Sequence, residues 1–213
     1  QVITADMPGY RMSDGPDHVP TMEEYSHIVP AVLYAVGVEK ADVLGHHTGA
    51  ILATDAAMQF PDRFNRLILN GPLPLSPEER EFFKAHLAAE KEWGPVEDGS
   101  HLVTQWKFRM EAQPGWTDIN AIQKHVVQGM AAGPNVWYAH DAVMDYDHGA
   151  AMQKLRLPVL IYINSGDSIH HLAERAKEQN PSFDYAQIDG GTFDILDEQP
   201  ENWVAPVVNW LKK

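Results

Sequence analysis

Short apolar runs bounded by turn residues alternate with longer stretches of helical period along this chain. The runs Val2–Ala5, Ala41–Leu44, Arg66–Leu69, Val159–Ile163 and Phe183–Ile188 predict strands. Their nearly unbroken apolar character suits strands covered on both faces, where neither side of the pleat meets water. Helices fit between them. Thr21 with Glu24 three residues on is a capping-box start, and the apolar spacing continues to Val36, just ahead of Gly37. Pro30 falls inside that pattern and predicts a kink, because its ring displaces a backbone hydrogen bond. Thr48–Phe60 predicts a second helix stopped by Pro61, and His171–Glu178 and Pro200–Leu211 predict two more. Strand–helix alternation of this kind makes an α/β fold around a mostly parallel sheet with helices on both faces. Ligands then gather at the carboxyl ends of the strands.

The rhythm breaks between Ser76 and Gln153, where the pattern is helical and polar and strand signals vanish. Four of the six tryptophans (Trp93, Trp106, Trp116, Trp137) lie in this stretch. An aromatic-rich helical insertion between two strands reads as a cap over a pocket, with packing of the rings onto the sheet as the plainer alternative. The core then comprises residues 1–75 and 154–213, and the cap residues 76–153.

Composition narrows the function classes. Of 213 residues, 30 are acidic and 16 basic, a net charge of −14, which argues against a nucleic-acid partner, since neutralising phosphates needs clustered Lys and Arg. No apolar run approaches the roughly 20 residues of a membrane span. There is no cysteine, so disulfides, thiolate metal sites and a cysteine nucleophile are excluded. The acidic, span-free composition fits a cytoplasmic location, with a leader ahead of Gln1 left open, as is oligomerisation. Eleven histidines make imidazole chemistry worth weighing.

The chemistry concentrates in one turn. Ala41-Asp42-Val43-Leu44 runs into Gly45-His46-His47-Thr48-Gly49-Ala50 and then a helix. Glycine at both ends of a strand-to-helix turn has a mechanical reading: the first permits a strained reversal, the second lets the helix pack on the strand. His47, at the centre, is thrust out at the top of the sheet beside a helix N-terminus whose free N–H groups favour negative charge. His46 then points back into the fold.

In this turn and four other landmarks the chain resembles the α/β-hydrolase family. Ala5-Asp6-Met7-Pro8-Gly9-Tyr10 with Ser13-Asp14 is similar to the family's loop after its fourth strand, and Gly45–Gly49 occupies the nucleophile elbow. Phe60–Phe64 with Leu67–Asn70 resembles the next helix end and strand. Pro158–Ile161 through Gly166-Asp167 resembles the strand and loop bearing the acid, and Gly190–Phe193 with Glu198–Glu201 the histidine loop and last helix. The resemblance implies a catalytic triad at positions 47, 167 and 192. His47 stands where the family places Ser, Asp or Cys, and Thr192 where it places the histidine; Asp167 alone keeps its expected type. It also implies that the chain begins near the family's fourth strand, so that Val2–Ala5 lacks a neighbour and the second oxyanion donor falls outside these residues. The backbone N–H of Thr48 is the one donor that can be assigned.

Two readings of the site follow. In the first, the His47 imidazole meets the Asp167 carboxylate directly and acts as general base on water, or attacks directly as a nucleophile, to hydrolyse an ester, lactone or related small carbonyl substrate. In the second, loss of two triad positions leaves a non-catalytic relative that binds a small apolar ligand or a partner. A metal reading (His46, His47, Asp167, His170 and His171 near the strand ends) is disfavoured by spacing, and no cofactor is implied.

His46 of the elbow is a candidate pocket residue, as are His101, Trp106, Trp137 and His140 from the cap. His101 is placed as a replacement base, unless Ser100 merely caps a helix after Gly99. Trp137 and His140 fall on one helical face, with Asp141 or Asp145 as surface partners for His140. Arg11 either closes the pocket mouth or pairs with an acid, and Asp6 reads as structural. His18, His27, His86, His125 and His148 show no partner pattern and read as surface or structural groups.

Overall fold

A computed structural model describes residues 1–213. The chain order is α1 (Met22–Ser26), α2 (Ile28–Ala35), β1 (Ala41–His46), α3 (Thr48–Gln59), β2 (Phe64–Asn70), α4 (Pro77–Leu87), α5 (Ser100–Glu111), α6 (Ile119–Met130), α7 (Tyr138–Asp145), α8 (His148–Met152), β3 (Val159–Asn164), α9 (His170–Gln179), β4 (Asp184–Ile188), α10 (Ile195–Glu198) and α11 (Pro200–Leu211). The four strands form one parallel sheet in the order β1-β2-β3-β4. No helix is long and apolar enough to cross a membrane.

The alternation of side chains along each strand divides the core between the two faces. Leu67, Leu69, Ile161 and Ile163 pack with Ala50, Ala53, Ala57 of α3 and Ala173 and Ala176 of α9. Ile68, Leu160 and Tyr162, one residue out of phase, meet Val207 and Trp210 of α11 instead. Every residue of β3 is buried, which is why its sequence reads as an unbroken apolar run. Burying one side chain such as Ile161 contributes about 1.5–3 kcal/mol.

Between β2 and β3 the chain is helical. Ala139, Ala142 and Val143 of α7 seat this insertion on Met22, Tyr25, Ile51 and Leu172. Polar ties reinforce the seat. The Arg175 guanidinium grips both Glu79 oxygens, the longer contact being 2.8 Å, and this holds the Glu79 carboxyl down at about 2. The Tyr10 hydroxyl donates to the Val136 carbonyl at 2.7 Å and accepts from the Ala139 N–H.

Four local expectations are corrected. Val2–Ala5 forms no strand; it is exposed coil with Val2 89% accessible, because no strand lies beside it to pair its amides. The helical run after Thr21 breaks at His27 rather than kinking at Pro30, which sits in the first turn of α2, where a missing N–H costs nothing. Phe183 precedes β4 and packs into the core under it. Gly99, in the left-handed region, occupies the N-cap of α5; Ser100 is its first residue, and its N–H is capped by Asp98 Oδ1 at 3.0 Å. The capping box of Thr21 and Glu24 forms as read.

Candidate active site

The four strand ends are laced together past the last ladder residues. The His47 N–H donates to the Asn70 carbonyl (2.8 Å), that of Gly71 to Tyr162 (3.0 Å), and that of Ser165 to Ile188 (2.9 Å). The turns carrying His47, Gly71, Asp167 and Thr192 are thereby fixed at one end of the sheet.

His47 holds φ 48° and ψ −112°, outside the regions an ordinary side chain prefers. Such a backbone costs roughly 1–3 kcal/mol and persists only where its surroundings over-determine it. The glycines around it divide the work differently from the expectation. A Cβ on Gly45 would overlap the Gly49 carbonyl and reach within 2.5 Å of the Ala50 nitrogen, so the first glycine admits the helix. A Cβ on Gly49 would meet nothing within 4 Å. The strain of the reversal is carried by His47 itself.

The side chains of His47 and Asp167 meet. His47 Nε2 lies 2.8 Å from Asp167 Oδ2, with the carboxylate wholly buried and the imidazole 25% accessible. Asp167 Oδ1 accepts the Ile169 N–H at 3.0 Å. Burial pushes the Asp167 carboxyl up, but the His47 ring and then the Ile169 N–H outweigh it, leaving the carboxyl below its ordinary range. An ionised Asp167 can only accept, so His47 Nε2 carries the proton and Nδ1 keeps its lone pair. No protein group is hydrogen-bonded to Nδ1. The first N–H groups of α3 lie directly after this turn, those of Ala50 and Ile51 being taken by the His47 carbonyl at 2.8 and 3.4 Å. Thr48 supplies the first of them.

His46 does point inward. Its ring stacks on that of His47 at 4.0 Å, with Nδ1 2.6 Å from Asn70 Oδ1 and Nε2 3.0 Å from the Phe193 carbonyl. Burial, and next the neighbouring His47, push it down to about 3. Asn70 is itself oriented by donating to the Tyr162 carbonyl and accepting from Trp203 Nε1. Gly71 is the other residue the sequence reading missed. With φ +67° it passes so close to His47 that a Cβ would overlap Cδ2 and come within 2.8 Å of Nε2. A glycine directly after a strand that ends beside the elbow was the available signal.

Thr192 is not joined to this pair. It is buried, its N–H donates to Glu198 Oε2 at 2.7 Å, and its hydroxyl accepts the Asp194 N–H at 3.3 Å. The cap candidates are likewise elsewhere: no hydrogen bond or ring contact joins His101, Trp106, Trp137 or His140 to His47 or Asp167. His101 Nδ1 accepts the Val96 N–H in the turn before α5. His140 pairs with Glu90 rather than with Asp141 or Asp145, which hold Lys91 and Lys84. His170 faces Gln187 at 2.9 Å, and no three His, Asp or Glu side chains converge at metal-binding spacing. Arg11 pairs with Asp6 at 3.7 Å on the surface.

The helical insertion contacts the late loop through Asp194, which is held by Arg109, Gln113 and His125. His125 Nε2 lies 2.6 Å from Asp197, so this histidine is a central member of an ionic cluster rather than an isolated group. A cavity of about 300 Å³ opens beside it, bounded by His46, Arg109, Gln128 and Leu196.

A strained elbow at the end of a parallel strand, an acid after a later strand and a helical insertion between two strands fit the α/β-hydrolase fold. The family model for that fold matches residues 1–199, and the chain belongs to this family. Among curated proteins it is 26% identical over 189 residues to a protein named for carbamate hydrolysis, RutD of Caulobacter sp. (strain K31), matching 83% of this chain and 67% of that one. It is 34% identical over 77 residues to 2-hydroxy-6-oxo-6-phenylhexa-2,4-dienoate hydrolase of Comamonas testosteroni, 34% of this chain and 26% of that protein. A solved hydrolase structure from Pseudomonas aeruginosa PA01 superposes with a TM-score of 0.81 at 21% identity, over 98% of this chain and 78% of that one. The chain thus spans about two thirds of the length of RutD.

Proposed function

We propose that the protein hydrolyses an ester, lactone or related small carbonyl substrate, with His47 as general base and Asp167 orienting it. The observation that carries this reading is the 2.8 Å contact between His47 Nε2 and the buried Asp167 carboxylate, made from the elbow itself. The elbow imidazole thereby partners the acid directly and does without a histidine on the late loop. Nδ1 takes a proton from water as the hydroxide oxygen adds to the carbonyl carbon. The resulting oxyanion lies against the Thr48 N–H. Collapse restores the carbonyl and breaks the bond to the leaving oxygen, which takes the proton back from His47. The helical segment 76–153 serves as the cap, and Arg109 with His125 anchors it to the Asp194 loop.

A second reading, a non-catalytic ligand-binding relative, is favoured by Thr192, whose hydroxyl is spent on the Asp194 amide. Hydrolysis of a short-chain and an aromatic p-nitrophenyl ester separates the two. Wild-type turnover that His47→Ala lowers by about 10²–10⁴-fold supports the general base. Equal background rates in wild type and variant sink the hydrolase for such esters and leave the binding reading standing.

A further inference from the structure

A further histidine–carboxylate pair, apart from those of His47 and His125, joins His140 and Glu90. Glu90 sits in the short 3₁₀ turn after α4 and is 3% accessible. A buried carboxylate is costly unless it is paired, and its one hydrogen-bond partner is His140 Nδ1 at 2.7 Å. That contact fixes the tautomer: Nδ1–H donates to Glu90, and the basic lone pair is on Nε2. His140 Nε2 has no partner in the protein, and the side chain is 43% accessible.

The imidazole borders a cavity of about 200 Å³ between α4 and α7. Leu87, Trp137 and Met144 form its apolar wall. Two ammonium groups stand at its rim: Lys91, 4.3 Å over the Trp137 ring and 3.3 Å from Asp141, and Lys84, 2.7 Å from Asp145. The volume admits one small ring. The wall suits an aromatic face, the free Nε2 accepts from a hydroxyl donor, and the rim is balanced in charge, Lys91 pairing with Asp141 and Lys84 with Asp145.

We infer that this cavity is a binding site for a small phenol, whose hydroxyl donates to His140 Nε2 while its ring lies against Trp137. For an acidic phenol the O–H bond breaks and an N–H bond forms, giving a phenolate–imidazolium pair backed by Glu90. The site makes no use of His47 and stands independently of the hydrolytic reading.

The probe is 4-nitrophenol, whose absorbance distinguishes phenol from phenolate. It is titrated into the full chain at a pH where the free probe is mostly protonated, with calorimetry in parallel. Wild type is expected to bind saturably with growth of the phenolate band. Trp137→Ala and His140→Gln should each weaken binding about tenfold or more, as expected for loss of the ring contact or of the hydrogen bond. His140→Gln keeps a donor toward Glu90 and so guards against simple unfolding; His47→Ala should bind as wild type does. Absence of saturable binding, wild-type affinity in His140→Gln, or loss of binding in His47→Ala would overturn the assignment.

Discussion

Gly71→Ala is expected to abolish ester hydrolysis almost as completely as His47→Ala, while the sheet stays folded. The added methyl would overlap His47 Cδ2 and crowd Nε2, the atom that faces Asp167. The methyl would also lie 3.1 Å from Ile169 Cδ1. The ring must therefore swing off the carboxylate. A misplacement of about 1 Å at a reacting group costs on the order of 10²-fold, and complete loss of a general base 10²–10⁴-fold. The backbone adds its own cost of about 1 kcal/mol or more, because φ at Gly71 is +67°. Asp167→Asn should match it by another route. An Asn amide turned toward His47 donates instead of accepting, which moves the ring proton to Nδ1 and removes the lone pair that takes the water proton. Kinetics on p-nitrophenyl esters beside thermal melts decide the matter. Retention of more than about a tenth of wild-type rate in a folded Gly71→Ala would show that the pair is not the reacting centre.

How much of this is legible in the sequence depends on how far each feature reaches along the chain. Val159–Asn164 is legible because burial on both faces leaves an unbroken apolar run, whereas β1 and β4 are only partly buried and are legible from shorter apolar runs between turn residues. Val2–Ala5 has the same composition and is coil, since a strand needs a neighbour and composition does not reveal one. The His47–Asp167 contact spans 120 positions and is legible only because the family resemblance sets both at strand ends. Glu90 as partner of His140, 50 positions away, leaves no such trace, and the nearer carboxylates Asp141 and Asp145 are the misleading choice. The roles of Gly45 and Gly49 read in reverse for a related reason: which glycine is crowded depends on where the helix lies, not on the spacing within the turn. His148 reads as unpartnered because its contacts, Thr54 and Leu73, are residues that in sequence suggest nothing about imidazole.

His148 makes the fold sensitive to acid well above the carboxylate range. It is completely buried where α8 meets α3, and burial pushes it down to about 3. Its Nδ1 accepts the Leu73 N–H at 3.1 Å, and Nε2 faces the Thr54 hydroxyl at 2.9 Å, which in turn donates to the Ala50 carbonyl. A proton on Nδ1 would face another donor, so the folded state has no way to accept it. An unfolded chain takes that proton near the ordinary histidine value of about 6.5. Stability is thus fully present above that value and is lost as pH falls from about 6.5 toward 3, because the unfolded state then binds more protons. At pH 5 the loss is about 2 kcal/mol for one such histidine, and His46, also pushed down to about 3, adds a comparable amount. For a chain of this size the two together should lower the melting temperature by about 10 °C between pH 7.5 and pH 5. Asp167 acts in a lower window: its carboxyl is held below the ordinary range, so its contribution is intact at pH 5 and disappears only as pH drops through its folded value. Melts of wild type and His148→Gln across pH 4–8 separate these contributions. The variant should begin less stable at neutral pH and show about half the wild-type slope between pH 6.5 and pH 5. An unchanged slope would mean that His148 takes up its proton in the folded state, and the buried network would have to open to admit it.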